Sequence, residues 1–253
     1  MGQLDGKVAI VTGSAVGLGR AIALAYVAEG AKVVVNYSRS ERDAEETAAK
    51  IAEMGGEALL ARADVSSDEQ VRRMVSQTLE RFDRIDILVN NAGITNHASF
   101  NDLEALTDEV WDRVFGVNVK GTFFCTRAVA EAMKRQGHGR IINFSSVAGI
   151  RPQGSSIAYC VSKASVIHMS KCLARVLGPE IQVNVIAPSF VEGTRWNDGR
   201  ADVEAVKQRT IRASALGRVG TPEDIVDMAL FLATRGDFIT GTVMVVDGGR
   251  ELG

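Results

Sequence analysis

Short, continuous apolar runs alternate along this chain with longer stretches whose apolar residues recur at helical spacing, and that alternation restricts the fold more than any other feature. The runs are Val8 to Val11, KVVVNY at 32–37, EALLARADV at 57–65, IDILVNNAG at 85–93, GRIINFSS at 139–146, QVNVIAP at 182–188 and TVMVVDGG at 242–249. Runs without in–out alternation belong to strands covered on both faces, the situation of a parallel sheet. Between them lie helical segments through AIALAYVAEG and over 40–54, 71–82, 107–133, 156–177 and 221–233. Gly55-Gly56 stops one of these, Ser66 or Ser67 caps the next, and Thr221 followed by Pro222 starts the last. Such units need right-handed crossovers and build an α/β doubly wound parallel sheet of about seven strands with helices on both faces. The length of 253 residues allows one large domain or two small ones. With 4 prolines and no Gly/Ser/Pro-rich linker, residues 1–253 are read as a single domain.

Ligands of such sheets bind beyond the carboxyl ends of the strands. The first of these ends is KVAIVTGSAVGLGR, a strand that turns directly into a helix through Gly13, Ser14, Val16, Gly17, Leu18 and Gly19. Unpaired N–H groups at a helix start, with no Cβ in the way, make a seat for a phosphate. The turn lacks the Gly-Lys-Ser/Thr of an ATP or GTP loop, and taken alone it also fits a turn that serves helix–strand packing.

Charge and composition exclude several classes of partner. Lys+Arg 29 against Asp+Glu 31 leaves a net charge of -2 without a basic block, and aromatics are only 6%, so neither nucleic acid nor an anionic membrane is an expected partner. No apolar run reaches the roughly 18 residues a bilayer requires. The start MGQLDGK has no apolar signal core, so a cytoplasmic protein is expected. Cys125, Cys160 and Cys172 show no C-x-x-C spacing and are read as reduced, packed thiols. His97, His138 and His168 make no ligand spacing, and no metal is expected.

Tyr159 and Lys163 lie four apart on one helix face, and Ser146 ends the preceding strand. A phenol with an ordinary pKa near 10 is a poor base at neutral pH, and a neighbouring ammonium is expected to lower that value. Tyr159 would then act as general acid or base, Lys163 as its electrostatic partner and Ser146 as a donor to a substrate oxygen. The spacing alone also fits a Tyr–Lys pair on a solvated helix face.

Thr12 to Gly19 as T-G-x-x-x-G-x-G, Asn90 to Gly93 as N-N-A-G, Ser146, Tyr159 to Lys163 as Y-x-x-x-K and Asn118 in GVNVKGTF together resemble the short-chain dehydrogenase/reductase family over essentially the whole chain. The resemblance implies a Rossmann fold and hydride transfer between a nicotinamide ring and a carbonyl or secondary alcohol of a small molecule, with Tyr159 moving the proton. It implies that Lys163 also holds the nicotinamide ribose and that Asn118 holds a water of the proton relay. Asp64 and the Val65 backbone would meet the adenine, while Asn90, Asn91, Ala92 and Gly93 would lie along the ribose side. Asn118 falls inside a helical stretch, where Asn is a mediocre former, so a distorted helix is expected there.

An NAD enzyme usually places Asp or Glu after the second strand. This chain has Tyr37, Ser38, Arg39 and Ser40, which favours NADP(H) over NAD(H) even though Ser14-Ala15-Val16 lacks a basic residue. Relative to the family, Ser189 replaces a Gly after Pro188 and Gly193 replaces a Thr, so the carboxamide contact would pass to the Val191 backbone and Thr194. Residues 189–213, with Phe190 and Trp196, are read as a substrate lid. Thr95, Asn96, His97, Ile150, Arg151 and Gln153 would join it in lining the pocket.

Among family members the chain looks most like sugar dehydrogenases and 3-oxoacyl reductases. Pro179-Glu180 disfavours a carrier-protein partner, although the basic Arg135 and Arg140 on the other side speak for one. A 3-oxoacyl-(acyl-carrier-protein) reductase remains the alternative within the class, and a non-catalytic dinucleotide-sensing protein the alternative outside it. The resemblance also implies a homotetramer.

Overall fold

The computed structural model describes residues 2–198 and 202–252; Gly199, Arg200 and Ala201 of the expected lid, together with both terminal residues, lie outside the described residues. Seven strands form one parallel sheet: β1 (Val8–Val11), β2 (Lys32–Tyr37), β3 (Ala58–Arg62), β4 (Ile87–Asn90), β5 (Gly139–Phe144), β6 (Ile181–Pro188) and β7 (Val243–Val246). Their order is β3-β2-β1-β4-β5-β6-β7. The winding reverses at β1, and a crevice therefore opens beyond the carboxyl ends of β1 and β4.

The helices are α1 (Gly17–Ala28), α2 (Glu41–Glu53), α3 (Asp68–Phe82), α4 (Asp108–Phe115), α5 (Thr122–Gln136), α6 (Ile157–Leu177), α7 (Val203–Ala213) and α8 (Pro222–Thr234). Period-two alternation divides the strands between two cores. Ala9, Val11, Val33 and Val35 pack with Ile22 and Tyr26 of α1 and Ile225 of α8. Ile10, Val34, Leu88 and Ile141 pack with Met74 of α3 and Val129 and Met133 of α5. Each fully buried large aliphatic side chain contributes roughly 1.5–3 kcal/mol, and the central strands are covered on both faces. Among the described residues no helix is long and apolar enough to cross a membrane.

Ser67 rather than Ser66 caps α3, its hydroxyl accepting from the Gln70 N–H. At α8, Thr221 is the N-cap and Pro222 the first helical residue, and the Asp224 carboxylate accepts from the Thr221 N–H at 2.8 Å. The runs expected at 57–65 and 85–93 pair for less of their length, because their polar ends turn up into the crevice. The stretch expected as one helix over 107–133 is α4, a π-helical segment at Gly116–Gly121 and α5, which continues to Gln136 and stops at left-handed Gly137. The distortion lies at Asn118. Cys125 and Cys160 are buried as expected, whereas Cys172 is exposed on the outer face of α6.

Candidate active site

Above the carboxyl ends of the strands lies a cavity of about 750 Å³, lined by the turns that follow β1 through β6. The glycine turn forms one wall. Gly17 begins α1 with φ +57, a left-handed conformation that favours glycine. No side chain caps α1 and no acidic residue occupies its first turn, so its orphan N–H groups and positive end remain for an anion. Gly13, Val16, Gly17 and Leu18 line the cavity, while Ser14 and Gly19 do not. Gly19 lets α1 approach the turn, since a Cβ there would stand 2.5 Å from the Gly13 carbonyl oxygen. Ser14 is fully buried; its hydroxyl donates to the Val11 carbonyl at 2.7 Å and accepts from the Asn36 N–H at 3.1 Å.

Asn36 is a supporting residue that the sequence reading missed. Its Oδ1 accepts from the Gly13 N–H at 3.0 Å, and its Nδ2 donates to the carbonyls of Ala61 and Ala63. One amide at the end of β2 thus fixes the turn after β1 to the end of β3. Its signal was a polar residue inside an otherwise apolar run.

Tyr37, Ser38, Arg39, Ser40, Asp64 and Val65 line the cavity on the β2–β3 side. The Tyr37 hydroxyl donates to the Glu41 carboxylate at 3.2 Å. Asp64 Oδ1 accepts from the N–H and the hydroxyl of Ser66 at 2.9 and 2.6 Å. Asn91, Ala92 and Gly93 line the middle, with Asn91 Nδ2 donating to the Thr12 carbonyl at 2.9 Å. Asn90 does not reach the ribose side. It is buried between strands, donating to Asn143 Oδ1 at 2.8 Å and to Thr126 Oγ1 at 3.2 Å.

Ser146, Tyr159 and Lys163 converge on the cavity. Ser156 caps α6 by accepting from the Tyr159 N–H at 3.2 Å, which fixes the start of the helix that carries the Tyr–Lys pair. The pair is not on a solvated face: Tyr159 is 7% and Lys163 4% exposed. Lys163 Nζ lies 5.7 Å from the Tyr159 ring centroid and donates to the Phe144 carbonyl at 2.9 Å. Burial pushes the Tyr159 phenol well above its ordinary range, while its hydrogen bond with Ser146 pulls the other way. Burial lowers Lys163 to about 8. The expectation of a lowered Tyr159 is therefore corrected, because desolvation outweighs the groups that favour its phenolate.

Asn118 stands behind the cavity wall rather than in it. Its Oδ1 accepts from the Ile94 N–H at 2.8 Å, and its Nδ2 donates to the Ile94 carbonyl at 2.9 Å and to Ser162 Oγ at 3.0 Å. With both side-chain polar atoms engaged, it fastens the loop after β4 to the π segment.

Pro188, Val191 and Thr194 line the far end, and Thr194 Oγ1 donates to the Val191 carbonyl at 3.2 Å. The segment after β6 lies over the glycine turn: the Arg195 N–H and Thr194 Cβ are each 3.8 Å from the position of a Gly17 Cβ. The Trp196 ring stands 5.6 Å from the Tyr159 ring, and Arg195 reaches Asp43 of α2 at 3.0 Å. Of the six expected pocket residues outside this segment, only Gln153 lines the cavity. Thr95 and Asn96 are turned to Ser155 and Ser156, Arg151 pairs with Glu251 at 3.0 Å, Ile150 is exposed and His97 lies outside the lining. Ser189 and Arg209 of the expected lid line it, as does Arg250 beyond β7. Among the described residues no group of His, Cys, Asp and Glu could hold a metal ion. The uncapped start of α1, the cavity volume and the turns along its floor fit an elongated dinucleotide.

A family model described as Enoyl-(Acyl carrier protein) reductase matches residues 13–251. The chain is 39% identical to a 3-oxoacyl-[acyl-carrier-protein] reductase of a Synechocystis species over the full length of both. It is 41% identical to a sorbitol dehydrogenase of Cereibacter sphaeroides, covering 98% of each chain. The solved structure of a gluconate 5-dehydrogenase from Burkholderia cenocepacia, in complex with NADP and tartrate, superposes with a TM-score of 0.91 at 34% identity, covering 99% of this chain and 97% of the other. A Ser–Tyr–Lys group in the crevice beyond the carboxyl ends of such a sheet, together with these likenesses over the whole chain, has one reading: the chain belongs to the short-chain dehydrogenase/reductase family, oxidoreductases that act on CH–OH and C=O groups.

Proposed function

We propose that this protein interconverts a carbonyl and a secondary alcohol of a small molecule with NADP(H) in preference to NAD(H). The observation that carries the reading is the convergence of Ser146 with Tyr159 and Lys163, the latter two withdrawn from water, in one cavity with the uncapped start of α1. The pyrophosphate would lie at Gly13, Val16, Gly17 and Leu18, the adenine at Asp64 and Val65, and the nicotinamide end between Asn91 to Gly93 and Pro188, Val191 and Thr194. When bound, the cofactor supplies or accepts the hydride. In reduction, the Tyr159 O–H bond breaks as the substrate oxygen takes the proton, and burial keeps Tyr159 protonated until then. The Ser146 hydroxyl donates to the same oxygen and the Lys163 charge stabilises the phenolate, which recovers its proton from solvent. Oxidation reverses each movement.

Ser38, Arg39 and Ser40 support the NADP(H) preference, since together they offer a guanidinium and two hydroxyls to a 2′-phosphate at the end of β2. The nearby Glu41 carboxylate accepts from Tyr37 and lies outside the lining. Steady-state assays over a ketone panel should give a higher kcat/KM with NADPH than with NADH, and Arg39→Gln should reduce that ratio about tenfold. A wild-type preference for NADH overturns the reading.

The Synechocystis relative favours a second reading, reduction of a 3-oxoacyl group on a carrier protein, and the family description also names an acyl carrier protein. The residues weighed for and against it from sequence do not bear on the cavity entrance. Arg135 and Arg140 lie at the amino ends of the strands, paired with Glu131 and Asp237, and Pro179-Glu180 precede β6 at the same end. Comparing carrier-linked and free 3-oxoacyl thioesters separates the readings. A dinucleotide sensor without activity would show no turnover of any of these. We place the protein in the cytoplasm as a homotetramer.

A further inference from the structure

The cavity is cationic at two ends that the strand order keeps apart. Arg39 follows β2, on one side of β1, whereas Gln153, Ser189 and Arg250 follow β5, β6 and β7 on the other. Arg250 lies at the end where Tyr159 stands. Its guanidinium donates to Ser189 Oγ at 3.1 Å and to Gln153 Oε1 at 3.3 Å, both neutral acceptors.

The tail after β7 is built to present this side chain. Asp247 accepts from the N–H groups of Gly249 and Glu251 at 2.8 and 2.7 Å, and Ser214 donates its hydroxyl to the Gly248 carbonyl at 3.0 Å. Both Asp247 oxygens are thus occupied by backbone, and Glu251 is paired with Arg151. Neither carboxylate lines the cavity. Across from Arg250, Arg209 projects into the same space from α7, and among the described residues no ion pair joins it to a carboxylate. The acidic lining residues, Asp64 and Asp112, belong to the opposite side, where Gly116 of the segment after α4 packs toward Ser66. Burial, first, and the Arg209 charge work against the charge of Arg250, and the nearby Glu251 and Asp247 carboxylates offset them only in part. An oxyanion between two guanidiniums relieves this and can receive forked hydrogen bonds from each.

We infer that the substrate carries an oxyanion, a carboxylate or a phosphate, which Arg209 and Arg250 hold while its carbonyl or alcohol carbon lies at Tyr159. The inference rests on the oxidoreductase reading above and narrows its substrates to oxo and hydroxy acids or phosphates. Gln153 and Ser189 are positioning residues that aim Arg250.

The test pairs each anion with a neutral counterpart: acetoacetate with its methyl ester, and dihydroxyacetone phosphate with dihydroxyacetone, each with NADPH and NADH. Titration of malonate and of inorganic phosphate by calorimetry, in the presence of the oxidised cofactor, is a second readout independent of turnover. The expected result is a kcat/KM at least tenfold higher for one anion than for its neutral partner, the acid pair and the phosphate pair deciding between the two sources. Arg209→Gln and Arg250→Gln should each collapse that ratio about tenfold and weaken the matching titration to a similar extent, with melting temperatures verifying the fold. Equal or better use of the neutral compounds, or a ratio that survives both variants, overturns the inference. If none of the four compounds reacts, the oxidoreductase reading suffers and the titrations still decide this one. Binding that is lost in Arg209→Gln supports it, and no binding overturns it.

Discussion

Lys163 holds a charge where burial opposes it, and that opposition can be measured. Its folded pKa of about 8 lies below the ordinary 10.5, so between these values the unfolded chain binds more protons than the native one and stability rises with pH. The penalty is complete below pH 8, fades toward pH 10.5 and is on the order of 3 kcal/mol. Lys163→Met removes it together with the hydrogen bond to the Phe144 carbonyl. The melting temperature of the variant relative to wild type should therefore decline as pH is raised from 7 to 10, and a difference constant across that range contradicts the assignment. Tyr159→Phe tests the neighbouring role. Loss of its proton should lower kcat by about 10²–10⁴-fold with cofactor binding retained, and turnover at the wild-type rate would remove Tyr159 from the mechanism.

Elements show why some positions were legible in sequence and others were not. Strand runs and helix periodicity depend on burial, which is written into residue type, and the sheet with all seven strands followed from them. Positions at strand ends were legible for the same reason, since polar residues there have no packing role. Asn118 shows the limit. Its type announced a distorted helix, but whether it held a ligand or the loop at Ile94 depended on a contact between segments remote in sequence. Asn90 and Asn36 share this ambiguity, because a buried amide and a cavity amide look alike until their partners are known. Arg209 was not singled out within the expected lid, and Arg250 was missed, because neither α7 nor the turn after β7 belongs to the family's motifs. Asn118→Ala would leave the N–H and carbonyl of Ile94 without side-chain partners, a loss of about 2–4 kcal/mol. Thermal unfolding should fall by roughly 5–15 °C, and a melting temperature within a degree of wild type would show that the π segment holds without this clamp.

At the scale of the whole molecule, apolar residues on an edge strand and on the α5–α6 face are left uncovered by one chain. β7 is an edge strand with Val245 42% exposed, and Phe231 of α8 and Phe238 are exposed near it. On the other side, Phe123 of α5 and Val161 of α6 stand exposed on neighbouring helices. An open, apolar edge strand invites association unless something covers it. Each surface can pair with its own copy about a two-fold axis, and two distinct isologous contacts on one chain close a tetramer, whereas either alone gives a dimer. Light scattering after size exclusion should therefore give four chain masses for wild type. Val245→Asp should leave dimers held through α5 and α6, Phe123→Asp dimers held through β7, and the double variant monomers with melting lowered further than in either single variant. A monomeric wild type ends the tetramer proposal, while a dimer that only one of the two substitutions dissolves would identify the surface that associates.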